Sequence, residues 1–288
     1  MHVIGHISID KIVDPNGNII MSAGGAPTYC GFYLSQLDVH ITPISVVGPD
    51  FDGLGHYKER GLSIDGIRVE PTCRTTSYEL KYRRDGGREL RLASKCRDLE
   101  ADDVNGIRGT AVVNPIAGEV SLDLLKLIRG SSDFMAIDAQ GFSRKFDSNG
   151  NVSVSLDHMT LDSLLINGDL LKLSIDDVDD LDLVKLSRNN KYVLVTMGSK
   201  LGYLIHNGRR YGFSRTPSIS VVDPTGAGDV TGCALAWYLS RGEDIEWSFA
   251  RAMAISMEKV RHLGPYGVMD SRNVDELTDL LLDLLVIA

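Results

Sequence analysis

The chain has 288 residues, of which 43% are hydrophobic and 24% charged, and a formal net charge of −9. That length suffices for one large domain with an excursion and a deep core, and the composition is ordinary for a soluble globular protein. The acidic balance argues against a general binder of nucleic acid or anionic membrane, which would carry a basic footprint, but not against a nucleotide held by a local positive field.

The N-terminus, MHVIGHISID, has neither a basic leader nor a long apolar run, so no signal peptide is expected. Residues 3–9 read as a buried strand that ends at Asp10. Residues 11–13, Asp14-Pro15-Asn16-Gly17 and 19–21 then give a hairpin signal. Gly24-Gly25-Ala26-Pro27-Thr28-Tyr29 opens a helix with Cys30, Tyr33, Leu34 and Leu37 on its apolar face. Taken alone, Asp10 is a turn residue and Gly24-Gly25 a flexible joint. Residues 41–47 are another apolar strand, followed by a Gly48–Gly53 turn and a helix to about Gly61.

The character changes over 67–93. Residues 75–82 alternate as a half-exposed strand, Asp85-Gly86-Gly87 is a hairpin turn, and 89–92 alternate back. With the first hairpin, this one predicts a small sheet projecting from the main body. Its basic run, Lys81, Arg83, Arg84, Arg88, Arg91, Lys95 and Arg97, reads as a solvated face, with a contact to an anionic substrate as the alternative.

Residues 110–113 are a short strand running into Asn114-Pro115-Ile116-Ala117-Gly118-Glu119, with a helix near 121–128. The strand at 134–137 ends at Asp138-Ala139-Gln140-Gly141. Polar residues at the carboxyl end of a parallel strand are where α/β sheets place ligands, which singles out Asp138 and Gln140; a solvated loop would read the same way. Residues 170–177, with Lys172, Ser174 and Asp177, take a strand into a helix, where a serine cap and acids in the first turn are good helix chemistry. The strand at 192–195 ends at Thr196-Met197-Gly198; the following Ser-Lys does not complete a Walker A loop, and His-Arg-Asp and Asp-Phe-Gly are absent.

Residues 221–235, VVDPTGAGDVTGCAL, carry the most chemistry. Val221 and Val222 end an expected buried strand, and Asp223-Pro224 starts a turn. Gly226-Ala227-Gly228 has almost no side chain, so its N–H groups can approach a ligand, and the pattern turns helical from Asp229. Such a turn aims N–H groups and a helix dipole at one point, which suits an anion. An aspartate there can take a proton from a hydroxyl attacking a phosphate, although a plain β-to-α corner capped by Asp229 would look similar. Helices near 245–261 and 274–286 follow, with Gly264-Pro265-Tyr266-Gly267 between them and Trp247 and Phe249 read as core. The longest apolar stretch, 280–288, is broken by Asp283 and too short to span a membrane. The four cysteines, Cys30, Cys73, Cys96 and Cys233, are scattered, so free thiols in a reducing cytoplasm are expected.

The string Asp223-x-x-Gly226-Ala227-Gly228-Asp229 closely resembles the second signature of the ribokinase-like (PfkB) carbohydrate kinases, and Asp10 with Gly24-Gly25 resembles the first. The resemblance implies a doubly wound, mostly parallel α/β sheet over 1–288, with lid excursions at approximately 11–22 and 67–97. It implies that Asp229 is the catalytic base, that Gly226 to Gly228 form the anion hole, and that Asp10, Gly24 and Gly25 hold substrate hydroxyls. Many members have asparagine where this chain has Tyr29, which turns the expectation away from a furanose. Gly118-Glu119 and Asp138-x-Gln140 are similar to members acting on inositol. Where the family has Lys-x-Asn-x-x-Glu this chain has Lys172, Ser174 and Asp177, which keeps a carboxylate for Mg²⁺. Thr196 and Gly198 match its nucleotide-binding turn. Asp223 shapes the site or a pocket for a monovalent cation such as K⁺. The expected reaction is ATP-dependent phosphorylation of a small sugar or cyclitol. A nucleoside or phosphosugar kinase of the same fold, or a non-catalytic binder, are the alternatives. No nucleic-acid or membrane partner is expected, and a homodimer through the lid fits.

Overall fold

A computed structural model of the chain describes residues 1–13, 16–82, 88–175, 191–198 and 200–288. Asp177, the Asp14-Pro15 turn, Arg83, Arg84 and Asp85-Gly86-Gly87 lie outside the described residues. The main sheet carries ten described strands. Seven run parallel, in the order β13 (Tyr192–Met197), β12 (Leu170–Ser174), β9 (Phe134–Asp138), β8 (Thr110–Val113), β1 (His2–Ile4), β4 (Thr42–Val47) and β5 (Ile67–Val69). Three antiparallel strands, β14 (Lys200–His206), β15 (Arg209–Phe213) and β16 (Leu285–Ile287), extend the β13 edge. The chain leaves β1 toward β4 and β5, then returns to the other side of β1 at β8, so a switch point lies between β1 and β8. Ligand crevices of doubly wound sheets form at such a point.

Strand side chains alternate between faces, and the two faces bury two cores. Val3, Val112, Ala136, Leu170 and Leu194 share one core with helices α1 (Ala26–Leu34), α6 (Ala227–Ser240), α7 (Ile245–Lys259) and α8 (Ser271–Leu284). Ile4, Val113, Ile137, Leu171 and Val193 share the other with α3 (Leu122–Ser131) and α5 (His158–Asn167). The short helices α2 (Leu54–Glu59) and α4 (Gln140–Ser143), with a two-stranded ribbon of β10 (Arg144–Phe146) and β11 (Val152–Val154), complete the described set. Ser121, Asp157, Asp244 and Asp270 each cap their helices through a side-chain oxygen, satisfying N–H groups with no intrahelical partner.

A second sheet, ordered β3 (Ile19–Gly24), β2 (Ser8–Val13), β6 (Ser77–Tyr82) and β7 (Arg88–Ser94), is the small sheet expected from the two hairpins. Tyr78 and Leu80 bury it against Ile116 and Ala117. Three basic residues on and beside it pair with acids: Arg91 with Glu79, Lys95 with Asp98, and Arg97 with Glu70 and Asp103. Arg91 keeps much of its exposure, whereas Arg97 is drawn in against the buried Asp103.

Three expectations are corrected. The strand read at 3–9 is two strands in two sheets, because the backbone N–H groups between them turn to other partners: Gly5 N to Ile44 O, His6 N to Glu119 Oε1, and Ile7 N to Ser45 Oγ. Val221 and Val222 do not end a buried strand. Each is 57% exposed, and the N–H groups of Val222 and Asp223 both donate to Val260 O at the end of α7. Cys73 and Cys96 are not free thiols; they form a disulfide with Cα atoms 5.1 Å apart, while Cys30 and Cys233 are free and buried. The disulfide joins the segments that enter β6 and leave β7. Closing a loop of 23 residues restricts the unfolded chain. Cys73→Ser is therefore expected to lower unfolding free energy by about 3 kcal/mol relative to the oxidised wild-type chain, and the difference is expected to vanish once strong reductant opens the wild-type disulfide; urea denaturation of both proteins, oxidised and reduced, reads it.

Candidate active site

The carboxyl ends of the parallel strands bring the polar residues together. Asn114 follows β8, Asp138 ends β9, Lys172 lies in β12 and Ser174 ends it, and Thr196 lies in β13. Each lies an even number of residues beyond Val112, Ala136, Leu170 or Leu194, so period two aims it at the face that α6 covers. Lys172 and Asp138 are direct partners across the parallel ladder, and Lys172 Nζ lies 2.5 Å from Asp138 Oδ2, both side chains buried. Asp138 Oδ1 accepts from Gln140 N at 3.0 Å, which holds Gln140 at the head of α4. Thr196 Oγ1 donates to Leu173 O at 3.3 Å, and Gly198 (φ 60°) stands in open space just beyond it.

Helix α6 delivers the Gly-Ala-Gly-Asp turn to these strand ends. Gly226 is its N-cap with φ 76°, and no side chain caps the first N–H groups. Lys172 runs along α6 through a groove cleared by two glycines one turn apart: a Cβ at Gly228 would stand 3.3 Å from Lys172 Nζ, and one at Gly232 3.0 Å from its Cδ. Asp229 accepts from Asn114 Nδ2 at 3.1 Å. Burial pushes the Asp229 carboxyl above its usual range; the Lys172 ammonium opposes that and the Asp138 charge adds to it. A raised carboxylate is a better match to a proton it must accept near neutral pH.

The turn is fastened from behind by α7. Ser256 Oγ donates to Ala227 O at 3.2 Å, and Lys259 Nζ to Asp223 O at 2.9 Å. Asp223 is buried and folds back on the turn, its Oδ1 accepting from Thr225 N and its Oδ2 from Gly264 N. Tyr29, 2% exposed, presents its ring to Gly226, where a Cβ would come within 2.3 Å of ring carbons. Tyr29 thus sits beneath the turn.

Asp10 comes from the lid strand β2. It is buried because Gly24 has no side chain: a Cβ there would stand 2.3 Å from Asp10 Oδ2. Gly25, at φ 84°, passes so close to His6 O that a Cβ would lie 2.1 Å away, and it caps α1. Burial pushes the Asp10 carboxyl up to about 6, with the Asp229 charge adding to it and the Arg144 guanidinium opposing. Asp10 Oδ1 and Asn114 Oδ1 are buried with no hydrogen-bond partner among the described residues.

The structure therefore gathers Asp10, Gly24, Gly25, Tyr29, Asp138, Lys172, Asp223 and the Gly226–Asp229 turn around one crevice, with Ser174, Thr196 and Gly198 along the next strand ends. Sequence reasoning had passed over Asn114, Arg144 and Lys259 as site residues. Asn114 directly follows a parallel strand, the same signal that singled out Asp138. Arg144 donates to Ile116 O and lies 5.5 Å from the Tyr78 ring centroid, on the lid side of the crevice. Lys259 falls one turn after the buried Ile255, so helical periodicity had already placed a lysine on an apolar face.

A crevice at the carboxyl edge of a doubly wound sheet, closed by a small β-sheet and faced by a glycine-rich helix N-terminus with an aspartate, defines a ribokinase-fold phosphotransferase. The model of the pfkB family carbohydrate kinases matches residues 168–272. A cytidine kinase of Thermococcus kodakarensis is 25% identical over 280 residues, 92% of this chain and 98% of that protein. A pyrophosphate-dependent kinase in the ribokinase family, solved with a pyrophosphate analog and myo-inositol, is 24% identical with a TM-score of 0.79, over 96% of this chain and 99% of that one. The sulfate complex of a pyrophosphate-dependent kinase in the ribokinase family is 26% identical with a TM-score of 0.80, over 95% and 99%. The C-terminal part of the chain thus matches the pfkB carbohydrate kinases, and the chain as a whole is similar to kinases of the ribokinase family and shares their fold. Among the described residues no helix is long and apolar enough to cross a membrane.

Two measurements test this geometry. Gly226→Ala combines a left-handed backbone with a collision against the Tyr29 ring, so a loss of about 2 kcal/mol or more is expected in urea unfolding. An unchanged midpoint would mean the turn is not seated on Tyr29. Asp10 binds its proton more tightly folded than unfolded, so the stability it contributes is fully present below its unfolded value and is lost as pH rises through about 6. Asp10→Asn is expected to flatten the stability profile between pH 4 and 7, gaining on the order of 2 kcal/mol over wild type at the upper end.

Proposed function

We propose that this kinase transfers a phosphoryl group from ATP to a hydroxyl of a small sugar or an inositol-like cyclitol. The observation that carries the reading is the pairing of Asp229, at the open N-terminus of α6, with two buried oxygens that lack donors, Asp10 Oδ1 and Asn114 Oδ1. A buried acceptor without a donor costs free energy, and a hydroxyl-rich substrate supplies the missing donors. In this reading Asp10 positions the acceptor hydroxyl and Asp229 takes its proton during attack on the γ-phosphate. The N–H groups of Gly226, Ala227 and Gly228 stabilise the charge on the transferring group, and the Lys172 ammonium keeps Asp229 ionised beside Asp138. Gly24 and Gly25 let the lid strand bring Asp10 close.

Asp138 and Gln140, one strand over, face the rest of the acceptor, and Tyr29 fills the place of the amide used by furanose-binding members. Thr196, Gly198, Lys172 and Ser174 border the donor phosphates. Mg²⁺ binds through one or two carboxylates with phosphate oxygens and water, so it enters with the donor. Asp177 would supply the carboxylate, with Asp223 the second candidate. The cyclitol choice draws support from the myo-inositol complex of a similar fold. The cytidine kinase, similar over nearly the whole chain, supports a nucleoside as the second reading. Retention of the Asp229 carboxylate with its glycines speaks against a binder without chemistry. A homodimer through the lid suits β3, an edge strand on which Ile19 and Met21 are each 59% exposed. No nucleic acid or membrane partner is part of this reading, and the compartment proposed is the cytoplasm, although the Cys73–Cys96 disulfide withdraws the free-thiol argument for it.

Turnover with cyclitols, hexoses, ribose, nucleosides and phosphosugars, using ATP or pyrophosphate as donor with Mg²⁺, tests the reading. Cyclitol or sugar turnover with ATP is the expected result; turnover on nucleosides alone would overturn the acceptor, and turnover with pyrophosphate alone the donor. Asp229→Asn is expected to lower kcat by about 10²–10⁴-fold with the fold intact. Unchanged turnover in that variant removes Asp229 as the base.

A further inference from the structure

Lys259 has no solvent exposure, and an ammonium so placed must be matched by neighbouring negative charge or lone pairs. Its matches all belong to the turn that precedes α6. Nζ donates to Asp223 O at 2.9 Å and lies 3.7 Å from Asp223 Oδ2. It also stands 5.2 Å from the Tyr29 ring centroid and 5.9 Å from that of Tyr33, within cation–π range. Tyr29 is the ring on which Gly226 rests. One buried cation therefore touches both supports of the turn, the Asp223 backbone on one side and the Tyr29 ring on the other.

The resemblance makes Asp223 a candidate ligand for a monovalent ion, and the donors around it test the fit. A bare cation needs oxygens with free lone pairs. Each Asp223 oxygen already commits one of its two lone pairs, O to Lys259, Oδ1 to Thr225 N at 2.9 Å and Oδ2 to Gly264 N at 2.8 Å, so the deciding feature is charge rather than vacant acceptors. The positive charge that the buried carboxylate requires is also present, on a side chain anchored in α7. An inorganic ion at this carboxylate would have to displace the ammonium or be repelled by it.

We propose that the Lys259 ammonium is a built-in monovalent cation: it takes the place beside Asp223 that K⁺ would need, and it positions the Gly226–Asp229 turn without any added ion. Lys259 touches no reacting atom in this account and acts through Asp223 and Tyr29. The catalytic part of the proposal rests on the kinase reading above; the occupancy part does not.

The wild-type chain is compared in KCl and in tetramethylammonium chloride at equal ionic strength, by thermal unfolding and by turnover. The same Tm and the same kcat in both salts are expected. A rise in Tm or kcat specific to K⁺ overturns the proposal, and the Tm comparison holds even if no acceptor in the panel is turned over. Lys259→Ala opens the space the ammonium filled. Its kcat is expected to fall by about tenfold or more with little change in acceptor KM. NH₄⁺ or K⁺, but not tetramethylammonium, is expected to restore part of that kcat and to raise the variant's Tm. A folded variant with undiminished kcat, or one that neither ion stabilises or restores, overturns the positioning role. Should Lys259→Ala not fold, Lys259→Met, which keeps the stem and removes the charge, is read the same way, and the wild-type salt comparison stands by itself.

Discussion

Two carboxylates, the buried Asp138 and the partly buried Asp229, are balanced by one buried ammonium, Lys172. That balance is the constraint on which the rest of the crevice depends. Like charges held close in a poorly solvated place drive at least one toward its neutral form unless a cation stands between them. The chain meets this by setting Lys172 opposite Asp138 in a parallel ladder and by clearing its path along α6 with Gly228 and Gly232. Remove either glycine and the lysine stem loses its groove; remove the lysine and Asp229 faces Asp138 unscreened. The sheet register and the bareness of one helix face are thus requirements of electrostatics as much as of packing.

The helix that carries Asp229 is held at three levels. Its backbone turn hangs from the last turn of α7, its Gly226 rests on the Tyr29 ring, and its first turn meets the strand ends through Lys172 and Asn114. α1 brings Tyr29, and Gly24-Gly25 joins α1 to β3, the lid strand that pairs with the Asp10-bearing β2. Asp10 is therefore connected to the floor beneath the Gly-Ala-Gly turn through one strand pairing and one short helix.

Much of this was legible in the chain itself. Alternating strand and helix patterns gave the parallel sheet, two hairpin signals the small one, and the glycine string marked the N-terminus of α6. Local signals failed where tertiary partners decide. Val221-Val222 is β-branched and apolar like a strand, yet its N–H groups close onto Val260 O, so it ends as an exposed strap. Residues 3–9 form a continuous apolar run, and only Ile44, Glu119 and Ser45 from distant segments reveal that it changes sheets. Cys73 and Cys96 carry no spacing signal, since their meeting depends on how β6 and β7 return to the same root. Lys259 looks like a stray charge on an apolar helix face until Asp223 and the two tyrosine rings are seen around it.

The disulfide at that root also changes the topology of the molecule. Residues 73–96 form a covalent ring that contains both β6 and β7, closed where the lid joins the main sheet. A backbone cut anywhere inside the ring leaves one covalently connected molecule, because the two pieces stay tethered through sulfur. The lid hairpin is consequently the one part of the sheet–lid junction where new chain ends can be opened without parting the protein in two.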